Sequence, residues 1–535
     1  MRSKLNLDHH AHEGGADAGA PGPSQPGGVD LAVVREKLEA TRGRRYWRSL
    51  DELARTPEFE EMLHREFPDG ASEWWDGLTR RNFLRLAAAS LALSGLTACT
   101  RQPVHEILPY INQPAGLLPG KPLFYATAMT QGGFARGILA KNREGHPIKI
   151  DGNPEHPMSR GRSDIWLQAA ILDLYDPDRS QAVGHHGDIS TWSAFLVDVE
   201  LLLRELGQTK GAGLRFLTET ITSPALTWQI QSLLKRCPQA KWHQFEPINL
   251  DNTLEGARIA FGEPLATHYR FKRAGVIVSL DSDFLYTHPA HLAYTRDFTD
   301  GRRVSEGGQT MNRLYVAESS PTVTGTMAEE RLPVASSRIA VLTAALGARL
   351  GIKGLPDAEA GLSESEKRWV DAAAGELKKN RGAGIIIAGE WQPPAVHAMA
   401  HLMNHAAGNL EQTVFHTAPA LSSIESQHRS LQALVEAMQS GKVETLIMLG
   451  GNPVYNSPPE LDFSAGLERV KRSIHLSTHL DETSAVTTWH IPATHFLEAW
   501  GDCRGFDGTI TLQQPLIAPL YGGKAPSELL GALME

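Results

Sequence analysis

The sequence predicts a multi-domain α/β protein, with parallel sheets flanked by helices, preceded by a partly disordered, partly helical N-terminal extension. Two observations predict it. Beyond about residue 180, short apolar runs alternate with helix-patterned stretches, the rhythm of strand–helix–strand units. Before about residue 121, the chain is instead a Gly/Pro-rich tail, a charged helical stretch and one isolated apolar run. Composition agrees with a large folded body, since 41% hydrophobic and 21% charged residues are ordinary for a globular chain. At 535 residues there is room for about three or four domains.

Taken in order, residues 1–30 (HHAHEGGADAGAPGPSQPGGVD within them) read as a disordered tail, in which His9, His10 and His12 are solvated. Residues 31–78 form a helical extension. Leu50, Leu53, Phe59, Leu63 and Phe67 recur at helical spacing, and Ser49 with Glu52 fits a capping box. Residues 100–121 are an extended Pro/Gly-rich tether. Residues 122–180 suit a small β-rich domain, with strands at Phe124-Tyr125, Gly137–Lys141 and Ile148–Asp151 and a turn at Glu144-Gly145. Strands are expected at 214–219, 274–283, 313–320, 382–390, 443–453 and 473–480, and helices at 224–236, 339–351 and 394–408. These are assigned to a first α/β domain over 181–355 and a second over 356–500. Residues 501–535 are expected to be β-structure and coil, and incomplete as a domain.

Residues 79–99, TRRNFLRLAAASLALSGLTAC, carry targeting information. The paired Arg80 and Arg81, an uncharged apolar run of about 13 residues and small residues before Cys99 are the parts of an export signal. The run is short of the ~20 residues needed to span a bilayer. The twin-arginine pattern resembles a Tat signal, and Leu96-Thr97-Ala98-Cys99 resembles a lipobox whose cysteine is lipidated. Together they imply export to the periplasmic face of a bacterial cytoplasmic membrane, with anchoring through Cys99.

Charge and motifs exclude several classes. Net charge is −9 with no sustained basic block, which argues against nucleic acid as a partner. No GxSxG, Walker-type loop or HExxH occurs, which removes the common hydrolase and NTPase readings. Three cysteines, Cys99, Cys237 and Cys503, are too few for an iron–sulfur cluster held by four thiolates. A Cys237–Cys503 disulfide is conceivable in an oxidising compartment.

Several groups are candidates for chemistry. In LGGNP, Gly450, Gly451, Asn452 and Pro453 follow an expected strand; glycines there permit close backbone approach, and amides at a strand end favour phosphate. A plain turn is the alternative. His397, His401 and His405, at i, i+4 and i+8, share one helix face, either as metal ligands or as a polar seam. Asp281 and Asp283 end a strand, where they hold a ribose or metal or cap the next turn. Glu498, Asp502 and Asp507 read as loop acids. His288, His291, His475, His479, His490 and His495 are scattered near strand ends, where an imidazole titrates near neutrality.

The passages EGHPIKIDGNPEHPMSRG, LGGNPVYNSP and EAWGDCRGFDGTITLQQPL resemble the molybdopterin oxidoreductases. More narrowly, YWRSLDELARTPEFEEMLHREFP, the mid-chain twin arginine, KPLFYATAM and LDLYDPDRS resemble one half of the cluster-bearing subunit of alternative complex III, the half that is molybdopterin-oxidoreductase-like. That resemblance covers nearly all of residues 44–535. It implies a quinol-oxidising electron-transfer complex in the membrane. Its implied partners are a ferredoxin-like iron–sulfur half or subunit, integral membrane quinol-binding subunits and multihaem cytochrome c subunits. Catalytic members of the broad family carry CxxCxxxC at the start of the first domain. Here Ala126–Gly137 (ATAMTQGGFARG) contains no cysteine. The expectation is a retained fold without cofactor, the Gly450–Pro453 loop being vestigial. The alternative is a working molybdopterin guanine dinucleotide enzyme lacking the neighbouring cluster.

Overall fold

The computed structural model describes residue 118 and residues 120–303, 311–355 and 361–534. The tail, the helical extension and the signal with Arg80, Arg81 and Cys99 lie outside the described residues. Strands β1 (Leu123–Gln131), β2 (Phe134–Arg143) and β3 (His146–Gly152) form an antiparallel meander. Both turns have the left-handed backbone that two-residue hairpins favour: Gly132-Gly133, and Glu144-Gly145 as expected. Helix α1 (Ile165–Leu174) packs on β3 and starts at Asp164, whose carboxylate accepts the Leu167 N–H.

Next come β4 (Gly184–His185), β5 (Asp188–Ile189), α2 (Trp192–Thr209), β6 (Leu214–Thr218), α3 (Pro224–Arg236) and β7 (Lys241–Gln244). A long excursion follows: α4 (Asp251–Phe261), β8 (Ala266–Tyr269), β9 (Val276–Leu280), α5 (His291–Asp300), β10 (Arg313–Glu318), β11 (Glu330–Pro333), α6 (Ile339–Arg349), α7 (Glu364–Lys379), β12 (Gly384–Ala388), α8 (Pro394–Ala406) and β13 (Val414–Thr417). The chain then returns through α9 (Gln427–Gln439), β14 (Thr445–Leu449), β15 (Arg472–Ser477) and β16 (Trp489–Pro492), and continues with β17 (Gly501–Arg504), β18 (Ile510–Gln513) and α10 (Pro526–Ala532). Short helical turns join several of these elements.

The strands at 181–355 and 356–500 do not assemble into two successive sheets. A seven-stranded sheet has the order β5-β4-β16-β15-β14-β6-β7, so β6 and β7 share a sheet with strands more than 200 residues later. The four-stranded parallel sheet β11-β10-β9-β12 is built wholly from the excursion between β7 and β14. The physical reason is burial on both faces. LRFLT of β6 and TLIML of β14 are fully buried, so each must be covered by helices on two sides and flanked by strands of the same kind. Phe216 and Ile447 point into one core and Leu217, Leu446 and Met448 into the other. In the inserted sheet, Val278 and Ile386 face one core, and Ile277, Ile385 and Ile387 face the opposite one.

The closing segment is not only β-structure and coil. After the β17–β18 hairpin, Pro526 starts α10, and Leu529, Leu530 and Leu533 bury against the core that also holds Ile230 and Leu233 of α3. Cys237 and Cys503 are both buried and free, in separate apolar clusters, so no disulfide joins them. Among the described residues no helix is long and apolar enough to cross a membrane.

Candidate functional site

The order of the seven-stranded sheet locates the site. From β6 the chain winds through α3 to β7 at one edge, whereas from β14 it winds to β15 and β16 toward the other. Neighbouring β14 and β6 therefore make a topological switch point, and ligands of open α/β sheets bind beyond the carboxyl ends of such strands. Gly450–Pro453 leave β14 at that position, and Glu219 leaves β6 directly opposite.

Gly450 and Gly451 both have φ of +72°, a left-handed backbone that favours glycine. The loop is fixed from its own side of the sheet. Buried His475 on β15 bonds the Gly451 carbonyl (2.9 Å) and Ser484 Oγ (2.9 Å). Asn452 accepts from Thr483 Oγ1 (2.7 Å) and donates to Glu482 (2.6 Å). Asn452 and His475 thus hold the turn in place, and Pro453 is buried as the first residue of the short helical turn that follows.

The cradle above the two glycines is filled by protein. Glu219 Oε2 lies 2.8 Å from where a Cβ on Gly450 would stand, and the Gly451 N–H donates to the same carboxylate. Burial raises the Glu219 pKa, with the Gly451 N–H opposing the rise. Beside it Glu246, after β7, is pushed up to about 8 by burial and by the charge of Glu219. The Thr220 N–H donates to Glu246 (3.3 Å), and Gln427 bridges Thr220 Oγ1 (2.8 Å) and the Glu246 N–H (2.8 Å). A dinucleotide pyrophosphate on this loop would meet carboxyl groups where it needs donors. The residues here do not fit the dinucleotide that the resemblance implies for catalytic members.

From Glu219 a mainly apolar cleft of about 670 Å³ runs past Ile221, Phe496, Trp500 and Leu512. Its walls are tied together by Thr222, which donates to the Gly133 carbonyl (2.6 Å) and accepts the Arg504 N–H (3.0 Å). Asp502 accepts from Ser223 Oγ (2.5 Å) and the Ala225 N–H (3.1 Å) at the start of α3, so its role is to hold that helix. Burial pushes the Cys503 thiol up to about 11, which keeps it protonated and a poor metal ligand. Asp507 accepts locally from Thr509. Asp502 lies in β17 rather than in a loop, whereas Glu498 sits in the turn before it but is not a solvated acid. It forms a buried bidentate pair with Arg179 (2.6 and 3.1 Å).

The histidine trio of α8 divides. His397 and His401 are buried, whereas His405 is exposed. Each four-residue step overshoots a full helical turn by about 40°, so by the third histidine the drift of about 80° carries the side chain off the buried face. No group of three or more His, Cys, Asp or Glu among the described residues is placed to hold a metal ion. Asp281 accepts from Trp391 Nε1 (2.9 Å), Gln392 (2.8 Å) and the Ser319 N–H (3.0 Å), and Asp283 accepts from Thr324. Both carboxylates tie the end of β9 to distant segments of the chain, rather than capping the next turn or holding a ribose or metal. His291 pairs with Asp164 (2.9 Å), His490 with Ser180 (2.6 Å), and His495 contacts the Ala170 carbonyl (3.1 Å). His479 lies 3.3 Å from Asp176, and His288 joins the aromatic core beside Tyr294 and Phe506.

Sequence reasoning missed Glu219, Glu246 and Glu390. All three follow a short strand, Glu219 after β6, Glu246 after β7 and Glu390 after β12, the position where a sheet presents polar groups to a ligand; that was the available signal.

These features define an α/β protein whose candidate site is the switch-point crevice of its largest sheet. Among solved structures, the chain is similar to acetylene hydratase from Pelobacter acetylenicus, with a TM-score of 0.58 and 15% identity over 76% of this chain and 68% of that one. At this identity the likeness speaks for the fold, which is molybdopterin-oxidoreductase-like, as the sequence resemblance implied. No family model and no curated protein matches the sequence.

Proposed function

We propose that this chain is a non-catalytic, cofactor-free scaffold subunit, or part of one, in a membrane-bound quinol-oxidising electron-transfer complex resembling alternative complex III. The observation that carries this reading is Glu219 seated on the Gly450-Gly451 cradle beside Glu246, where a cofactor-binding relative needs room and donors for a pyrophosphate. The cysteine-free stretch Ala126–Gly137 supports it as well, since no iron–sulfur exit for electrons can be built there. In this reading the body is held at the periplasmic face of the membrane through Cys99. It serves as a folded platform between an iron–sulfur partner and haem-bearing and membrane-embedded subunits.

The test is elemental analysis and acid extraction of the native complex, followed by the isolated full chain. The isolated chain is expected to carry no molybdenum, tungsten or extractable pterin. Stoichiometric metal with pterin would overturn the scaffold reading in favour of a working molybdopterin enzyme without a neighbouring cluster.

A further inference from the structure

A second polar cluster lies away from the switch point, between α4, α8 and the carboxyl end of β12. Here a narrow, partly open chamber of about 30 Å³ is lined by Glu390, His397, His401, Thr253 and Thr267, with Tyr269 and His288 among otherwise apolar neighbours. Close packing of α4 on α8 seals one side: a Cβ on Gly256 would fall 2.3 Å from His397 Cβ. Five side chains bring buried polar atoms to this chamber that have no hydrogen-bond partner from another residue. They are both oxygens of Glu390, Nε2 of His397, both ring nitrogens of His401, and the hydroxyls of Thr253 and Thr267. A buried polar group left without a partner is costly, so such a concentration calls for one. The volume suffices for about two waters, at roughly 10–15 Å³ of probe-occupied space each.

We propose that the chamber is an internal water site, in which about two ordered waters bridge the Glu390 carboxyl to His397 Nε2 and His401, and through which Glu390 exchanges its proton with the outside. Glu390 also lines an open cleft of about 800 Å³, but both of its carboxyl oxygens are shut off from solvent there, so its proton leaves by way of the chamber's waters. The open cleft is also lined by Asp251, Glu255, Arg258, His428 and Arg429; inside the fold the Asp283 charge acts on Glu390, and Glu390 in turn acts on Tyr269. His397 bonds backbone groups of Gln392 and Gly389, leaving Nε2 to accept from water. Burial, which keeps both imidazoles neutral down to about pH 4, also pushes Glu390 up to about 7, with Asp283 adding to the rise. A metal ion is not the occupant this set suits, because its groups do not converge on one point.

The experiment uses the full chain. A high-resolution structure, with a xenon-pressurised crystal as control, is expected to show two solvent peaks within hydrogen-bonding distance of Glu390 and His397 Nε2, and no xenon. An empty or xenon-filled chamber would overturn the proposal. In solution, infrared spectra of the native chain should show a carboxylic-acid band that titrates near neutrality and shifts within minutes in D₂O; the band should be missing from Glu390→Gln. A band that exchanges only at the rate of global unfolding would refute the water path, whether or not the variant folds.

Discussion

The Glu219 carboxylate occupies the space above Gly450, 2.8 Å from the position a β-carbon there would take. The relationship ties the ends of β6 and β14, and it sets what a substitution does. Gly450→Ala places a side chain at φ +72°, which costs about 1–2 kcal/mol, while the flexible end of Glu219 can swing aside for little more. The expected result is a lower denaturant midpoint with unchanged slope. Adding Glu219→Ala should recover only the small steric part of the loss. A Gly450→Ala chain as stable as the native one would show that the loop is not held as described.

Arg179 and Glu498 clamp the start of the seven-stranded region to the chain's closing segment. Both are almost fully buried, and Glu498 also accepts from the backbone N–H groups of His495 (2.7 Å) and Leu520 (2.9 Å). Burial by itself would raise its pKa, but Arg179 and these donors hold it below the usual carboxylate value. Glu498→Ala strands a buried guanidinium, so a loss of about 3–5 kcal/mol is expected in chemical unfolding. Arg179→Met with Glu498→Leu should lose much less than either single change. If the losses of the singles simply add in the double variant, the pair is not coupled. Because the folded-state pKa is depressed, this contribution is present above the ordinary value of 4.5 and disappears as pH falls through the folded value.

How much of this was legible in the sequence depends on what each residue had to signal. VIVSL, GIIIA and TLIML declared themselves as strands because continuous burial on both faces requires continuous apolar character. PALTWQIQSLLKR ran as a helix over its full expected length, bounded by a Ser223 cap and Pro224 at its start. KWHQ, ATHY, VFHT and WHIP were missed as strands, since four residues with a histidine or a proline among them carry no readable period. Nesting of one sheet inside another was invisible for a different reason: strand–helix alternation is the same whether units follow one another or one interrupts the other. Gly450 and Gly451 could be read as a backbone site. That Glu219, more than 200 residues earlier, fills it is a fact of tertiary pairing alone.

Buried neutral histidines make a second pH dependence, steeper than that of Glu498 and at higher pH. His243, His268, His397, His490 and His495 are lowered to about 4 and His401 to about 3, in each case first by burial. Their folded pKa values lie below the unfolded value of 6.5. Below pH 6.5 the unfolded chain therefore takes up protons that the folded chain refuses, and stability falls, by up to about 1.4 kcal/mol per pH unit for each such group. Urea midpoints measured from pH 7 to pH 5 should drop progressively. His401→Phe is expected to make that drop shallower, even though it also changes packing at pH 7. A pH-independent midpoint over this range would mean that these imidazoles take up protons as readily in the folded chain as in the unfolded one.

The proposed anchoring at Cys99 separates two functions that share residues 79–99. On the proposed reading, Arg80 and Arg81 would act before the body reaches its compartment and Cys99 after. Arg80→Lys with Arg81→Lys is therefore expected to leave the chain unexported in the cell. Cys99→Ala should be exported normally but extracted from membranes by high salt or carbonate when expressed without its partners. A single acyl chain holds a protein only marginally, while two or more hold it stably, so the native chain should resist the same extraction and release only in detergent. Co-expression with the proposed partner subunits sharpens the outcome: retention of Cys99→Ala in their presence, and its loss in their absence, would place the remaining attachment on protein contacts. If Cys99→Ala stays membrane-bound without any partner, the lipid is not the anchor.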